Sequence, residues 1–454
     1  MIKDATGLSE EIIEQDAASA ELKAIVRGDQ ALRILRDAVS LRENATETSL
    51  QATRLSNRFF DVEPKSVVRD GWKPLPMDDD LEAALKQDDA GLVLAAAKVS
   101  ELPCIEEATC TPVSVFFGTD RAAQEGLHRL FFTAARADKL TLGKAVVTVP
   151  RAHRKKGEVN RPSWWDLIHF RNPWREDPTV HFTVPDGGVS VFATPEAFVA
   201  AAKQHMAEGG DFKDHVFVFV HGYNVEFDDA LFRAAQISFD LGNGDTPFGT
   251  AFVYSWPSKA AMLDYGYDAE SARFATEHLG AFLQLVMEKT DAKKIHLIAH
   301  SMGNQPLVNM LKDMAAKHSG SKRINEVILA APDIDAGEFP KLVTQIGKIA
   351  QGITLYASSN DRAMLASRTV HGKALRAGDV SERGPVVVAG IDSIDVSAIN
   401  TDFLALNHST YADTKELLDD IWHLMRTGQR PPDKRNLHLQ VRRQADRQFW
   451  QYAQ

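Results

Sequence analysis

The stretch Ile295-His-Leu-Ile-Ala-His-Ser-Met-Gly-Asn304 constrains the fold of this chain more than any other. A continuous apolar run is followed without a linker by a serine turn and then by a helical pattern, as where a buried parallel strand feeds directly into a helix. Such an elbow crowds the side chains two before and two after its central residue, so both must be small. Ala299 and Gly303 meet that need around Ser301, with alanine in place of the more common first glycine. The plainer reading of Ser301 is a cap on the helix that follows, since serine satisfies free N–H groups there.

A second strand end lies 80 residues upstream. Val216-Phe-Val-Phe-Val runs into His221-Gly222-Tyr223-Asn224, and Gly222 lets the chain turn with its amides aimed inward. Together with the elbow, this loop offers two fixed N–H groups, those of Tyr223 and Met302, to the negative charge that develops on a carbonyl oxygen in acyl transfer. Each such donor is worth about 3 kcal/mol. Taken alone, His221-Gly222 is only a sharp end to a strand.

The residues between and around these two motifs alternate in kind. Candidate strands are Val113–Phe117, Ala145–Val149, Val180–Val184, Val216–Val220, Thr250–Tyr254, Ile295–Ala299, Ile324–Ala330, Ile353–Ala357 and Pro385–Ile391. Amphipathic helices are expected at Asp268–Lys289, Asn304–Lys317 and Ala412–Met425. The class is α/β, with a mostly parallel sheet flanked by helices. A serine at such an elbow needs a base and an acid later in the chain, in the order Ser, Asp or Glu, His. Asp361 closes the strand Ile353–Ala357 in a polar turn, and His408 follows the last strand. His408 would carry the proton between Ser301 and the leaving group, and Asp361 would orient the imidazole. Asp333 and Asp335 are rival acids whose plainer role is to cap the next helix. His300, His371, His278 and His423 are read as structural.

These segments resemble a largely uncharacterised bacterial α/β-hydrolase family. The likeness rests on the His-Gly-Tyr-Asn loop, the Ala-His-Ser-Met-Gly-Asn elbow, Ala331-Pro-Asp-Ile-Asp335 and Asn360-Asp-Arg-Ala363. It also rests on Val113-Ser-Val-Phe-Phe-Gly-Thr-Asp-Arg121, Val149-Pro-Arg-Ala-His-Arg154 and Arg161-Pro162. The resemblance spans residues 111–425. It implies a serine hydrolase with Ser301, Asp361 and His408 as its triad, and no settled substrate. A serine rather than an aspartate at the elbow argues against dehalogenase and epoxide hydrolase chemistry. A carboxylic ester is the expected substrate class, with thioesters and amides open to the same machinery. Tyr223, Phe227, Trp256 and Tyr265 hint at an apolar pocket. The competing reading is a hydrolase-fold scaffold that binds a partner.

Residues 1–105 lie outside the resemblance and read as a helical accessory region, with Leu22, Ile25, Leu32, Leu35 and Val39 at helical steps. Of the net charge of −10, residues 1–110 hold −9, with 13 Lys and Arg against 22 Asp and Glu. That acidity favours a basic surface such as Arg151–Arg175, or self-association through residues 1–105. From Arg426 onward seven Lys or Arg stand against two Asp, read as a basic C-terminal extension forming a solvated helix or strap rather than a nucleic-acid tail. Apolar runs such as Val216–Val220, five residues, fall far short of the ~20 that cross a bilayer. The first residues carry acids where an export signal needs a basic region, so the chain is expected in the cytoplasm. Cys104 and Cys110 are expected as free thiols, and neither a metal nor an organic cofactor is expected.

Overall fold

The computed structural model describes residues 109–452 except 127–128, 152–158, 160, 162–175, 243–245, 260–264, 318–321, 360–373 and 400–413. All of these lie in the unit Asp88–Gln454. The expected helical region at residues 1–105 therefore lies outside the described residues, as does most of Arg151–Arg175.

The chain runs β1 (Cys110–Glu125), β2 (Leu130–Pro150), β3 (Val189–Val191), α1 (Pro195–Ala207), β4 (His215–Val220), α2 (Phe227–Asp240), β5 (Thr250–Ser255) and α3 (Tyr265–Lys289). It continues through β6 (Lys294–His300), α4 (Asn304–Lys317), β7 (Ile324–Ala330), α5 (Phe339–Ile346), β8 (Ala350–Ala357), β9 (Asp392–Asp395), α6 (Thr414–Thr427), α7 (Pro432–Arg435), β10 (Leu439–Gln444) and β11 (Arg447–Tyr452). One sheet of 11 strands results, in the order β10-β11-β9-β8-β7-β6-β4-β5-β1-β2-β3. The seven strands from β9 to β1 pair in parallel. β11 also joins β9 in parallel. The outer pairs β1–β2, β2–β3 and β10–β11 are antiparallel.

Strand β4 shows why its sequence is apolar throughout. Its side chains alternate between two cores, Val216, Val218 and Val220 into one and Phe217 and Phe219 into the other. The first core is closed by α1, α3, α4 and α5 through residues such as Phe198, Leu283, Leu307 and Val343. The second is closed by α2 and α6 through Leu231, Leu418 and Ile421. Each such side chain contributes about 1.5–3 kcal/mol on burial. Helix α1 starts where Thr194 accepts the N–H of Ala197 at 3.2 Å, with Pro195 preset for the first turn.

Several expectations are corrected. Val180–Val184 is not a strand: Thr183 makes an isolated bridge to Thr148, and Pro185 ends the run. The third strand is Val189–Val191 instead. Pro385–Ile391 gives way to Asp392–Asp395, because Pro385 has no N–H to pair and Gly390 adopts φ +80° just before the strand. The basic C-terminal residues form a hairpin rather than a solvated helix or strap. Its inner strand β11 finds unpaired backbone on β9, and Trp450 and Tyr452 enter the second core. Cys110 is disulfide-bonded rather than a free thiol. It lies buried at the start of β1, and bridging depends on spatial proximity that sequence spacing does not reveal. Among the described residues no helix is long and apolar enough to cross a membrane.

Candidate active site

Strand β4 has β5 on one side and β6 on the other, so the chain leaves β4 in one direction and crosses back to build the other half of the sheet. The crevice where strand order reverses, beyond the carboxyl ends, is where open α/β sheets bind ligands. Here it lies between β4 and β6. The loop after β4 carries Gly222 and Tyr223, and the turn after β6 carries Ser301 and Met302.

Ser301 is the first residue of a 3₁₀ turn, Ser301–Gly303, that leads without a break into α4. Its φ is +48°, a left-handed conformation that costs a non-glycine residue about 1–3 kcal/mol and survives only where the surroundings hold it. The surroundings do. The Ser301 carbonyl accepts the N–H of Asp333 at 3.1 Å and the side-chain amide of Asn304 at 2.9 Å. Asn304 also reaches the Ala330 carbonyl at 3.2 Å, which ties the elbow to β7. A side chain at position 303 would overlap the carbonyl oxygens of His221 and Val220. A Cβ at Gly222 would sit 3.0 Å from Ser301 Cβ and 2.8 Å from His300 Nδ1. The two glycines thus let the loop and the elbow touch, which brings the segments of Ser301, Met302 and Tyr223 together.

The aromatic residues divide. Trp256 and Phe227 are core: Trp256 stacks on His221 at 4.9 Å, and Phe227 packs on Phe117 and Phe132. Tyr265 is core as well, and the partly buried Tyr223 packs against that core with its ring 5.5 Å from the Tyr265 ring. The hydroxyl of Tyr265 donates to Asp333 Oδ2 at 2.5 Å. Arg376 donates to Asp333 Oδ1 at 2.7 Å and to its carbonyl at 2.9 Å. Gln305 donates to the same carbonyl at 2.8 Å. Asp333 is therefore not a helix cap but a buried brace between Arg376, Tyr265 and the elbow. Asp335 does not cap the helix either: its Oδ1 accepts the N–H groups of Gly337 and Glu338 at 2.8 and 3.1 Å in the turn that precedes α5, which has no side-chain cap. Asp361 and His408 lie outside the described residues, as does His371.

Sequence reasoning gave no role to the groups that hold the Gly222 loop. Arg121 is 1% exposed and Asp268 wholly buried, and both reach the loop. Burial lowers the Arg121 guanidinium to about 10 and raises the Asp268 carboxyl. His221 is held well below the ordinary imidazole range by burial and then by the Arg121 charge, so it stays neutral. Its ring nitrogens lie 2.8 Å from the Gly222 carbonyl and 3.1 Å from that of Trp256. Gly118-Thr119-Asp120-Arg121 carried the only sequence signal for this arrangement, as part of the family resemblance. Each residue of that motif has a place. Gly118 leaves room for the Phe282 ring, Thr119 donates to the Ser255 carbonyl at 2.6 Å, and Asp120 meets His278 at 3.4 Å.

A mostly parallel, doubly covered sheet with a strained serine turn at its switch crevice defines an α/β-hydrolase fold. The chain belongs to the family described as "Alpha/beta hydrolase of unknown function (DUF900)", whose model matches residues 199–427, half of the chain. It is 25% identical over 220 residues to an uncharacterized protein of Nostoc sp., which covers 43% of this chain and 54% of that protein. This chain thus spans about half the length of the curated relative it matches. Among solved structures it is similar to a lipase-esterase related protein from Clostridium acetobutylicum, with 11% identity and a TM-score of 0.25 over 46% of this chain and 93% of the other. A carboxylesterase from Bacillus subtilis gives 11% identity and a TM-score of 0.27 over 52% and 99%.

Proposed function

We propose that this protein is a serine hydrolase that cleaves a carboxylic ester through an acyl-enzyme. The observation that carries the reading is Ser301 itself, held at φ +48° on the turn between β6 and α4 with the Gly222 loop against it. A mere helix cap needs no left-handed backbone, since cap residues sit in the extended region. In this reading Ser301 attacks the ester carbonyl while His408 takes its proton. The N–H groups of Tyr223 and Met302 receive the oxyanion, and Asp361 holds the imidazole. The alkoxide then leaves with the proton from His408, and a water activated by the same base frees the acid. Asp333 is a weaker candidate for the triad acid because Arg376 and Tyr265 already engage both its carboxylate oxygens.

Ser301→Ala should abolish hydrolysis of a short-chain p-nitrophenyl ester with an unchanged circular dichroism spectrum. Wild-type turnover in that variant would end the proposal. The acid is decided by a pair of variants. Asp361→Asn should lower kcat by about 10⁴, because the neutral amide favours the wrong imidazole tautomer. Asp333→Asn should cost far less, and the reverse ranking would move the acid to the end of β7.

A further inference from the structure

We infer that Arg121 is a positioning residue for the oxyanion arm, the segment Gly222–Asn224 that carries the Tyr223 N–H. The inference rests on the serine hydrolase reading for its catalytic consequence, but the holding of the arm stands on geometry alone.

Four of the five guanidinium N–H groups donate to named protein acceptors, and the fifth turns toward the His221 ring. Nε donates to Ser255 Oγ at 2.9 Å. One terminal nitrogen donates to the carbonyls of Ser258 at 3.1 Å and Thr133 at 3.4 Å. The other donates to the Val225 carbonyl at 2.7 Å and faces Nε2 of His221 at 3.5 Å. His221 and Val225 are the residues on either side of the arm, so one rigid planar group grips both of its ends. With four donors taken and the fifth turned toward a buried ring, the 1%-exposed Arg121 is committed to the protein rather than to a substrate.

The opposite polarity is supplied from α3. Asp268 Oδ2 accepts the Asn224 N–H at 3.4 Å and the Ser258 hydroxyl at 2.6 Å, and Ser258 Oγ in turn accepts the Val225 N–H at 3.1 Å. The Asn224 N–H is therefore held by an anion, and the Val225 carbonyl next to it by a cation. Between these, Asn224 adopts φ +61°, a conformation the two anchors fix. A local irregularity aims Arg121 into this position: the β1–β2 register shifts on both sides of the Arg121–Arg136 pair. Such bulges turn a side chain away from the regular alternation of a strand.

A Lys at 121 keeps the charge but loses the fork, so the Val225 and Ser258 carbonyls and His221 can no longer be gripped together. The Tyr223 N–H then loses its fixed direction, and an oxyanion donor matters only as charge develops. Arg121→Lys should lower kcat for p-nitrophenyl butyrate about 100-fold with KM changed less than about threefold. Amide exchange at residues 222–226 should quicken. Ser258→Ala, which cuts the Asp268 side of the clamp, should show the same kcat-selective loss in a milder form, and serves if Arg121→Lys does not fold. A folded Arg121→Lys with wild-type kcat overturns the inference even if Ser301→Ala is inactive. If wild type has no Ser301-dependent activity, the hydrolase reading fails instead. Exchange at 222–226 then decides the inference: faster exchange in Arg121→Lys supports the clamp, and unchanged exchange overturns it.

Discussion

Two of the buried arginines, Arg121 on β1 and Arg435 at the end of α7, bond to different things. Arg121, past the end of β5, gives its N–H groups to three backbone carbonyls and a hydroxyl and faces an imidazole. Arg435, near the C-terminal hairpin, gives them mainly to carboxylates, with one bond to the Gln429 carbonyl at 3.2 Å. It donates to Asp420 from Nε at 2.9 Å and from a terminal nitrogen at 3.1 Å, and meets Asp392 at 3.5 Å. Tyr356 adds its hydroxyl to Asp420 at 2.6 Å, and Arg430 pairs with both Glu326 and Asp392. A cation spent on carbonyls fixes the path of a backbone. A cation spent on carboxylates from α6, β7 and β9 docks those elements to one another and to the hairpin after them. The first arrangement serves a site, the second the closure of the sheet.

The largest effect expected from this contrast is on stability. Asp420→Asn leaves Arg435 buried beside a neutral amide, which should cost about 3–5 kcal/mol in urea unfolding while kcat of the folded enzyme stays within about twofold. A loss of kcat at unchanged stability would erase the division between the two regions. Arg121→Lys is the mirror case, with its loss concentrated in kcat. If it instead lost stability with kcat intact, the two arginines would be doing the same work.

The smallest effect comes from a third buried group, His215 on β4 stacked against His296 on β6, with ring centroids 5.5 Å apart. Burial holds His215 down to about 4 and His296 to about 3. The unfolded chain takes up these protons near pH 6.5 while the folded one refuses them, so between about pH 6.5 and 3 the unfolded state binds more protons. Their stabilising share is full above pH 6.5 and is lost as pH falls towards those values. His296→Phe should flatten the acid limb of the melting temperature by a few degrees. An identical limb in the variant would assign it to other groups.

Much of the sheet could be read from the sequence, and the reason is the same wherever it could. Strands β4, β6 and β7 are covered on both faces, so they are mostly apolar, with His296 in β6 and Asn325 and Glu326 in β7 as interior exceptions, and α4 starts where Asn304 follows the serine turn. The C-terminal hairpin escaped because an edge strand may be solvated: β10 exposes Gln440, Val441, Arg442 and Arg443 and carries no periodicity that a helix or strap would not. Strand β9 escaped because four residues with aspartate at both ends give too short a pattern. At the site, the elbow was legible because its steric demands fall on adjacent residues. Arg121 was not, because its partners lie 104 and 137 positions away at Val225 and Ser258, and an arginine in a sequence reads as solvated until those carbonyls are brought to it.

The most direct test of the account is the fate of a fluorophosphonate probe. Wild-type protein should gain one covalent adduct, located by peptide mapping on Ser301, and Ser301→Ala should gain none. Equal labelling of both proteins, or no labelling of a folded wild type, would contradict the claim that this turn carries a nucleophile.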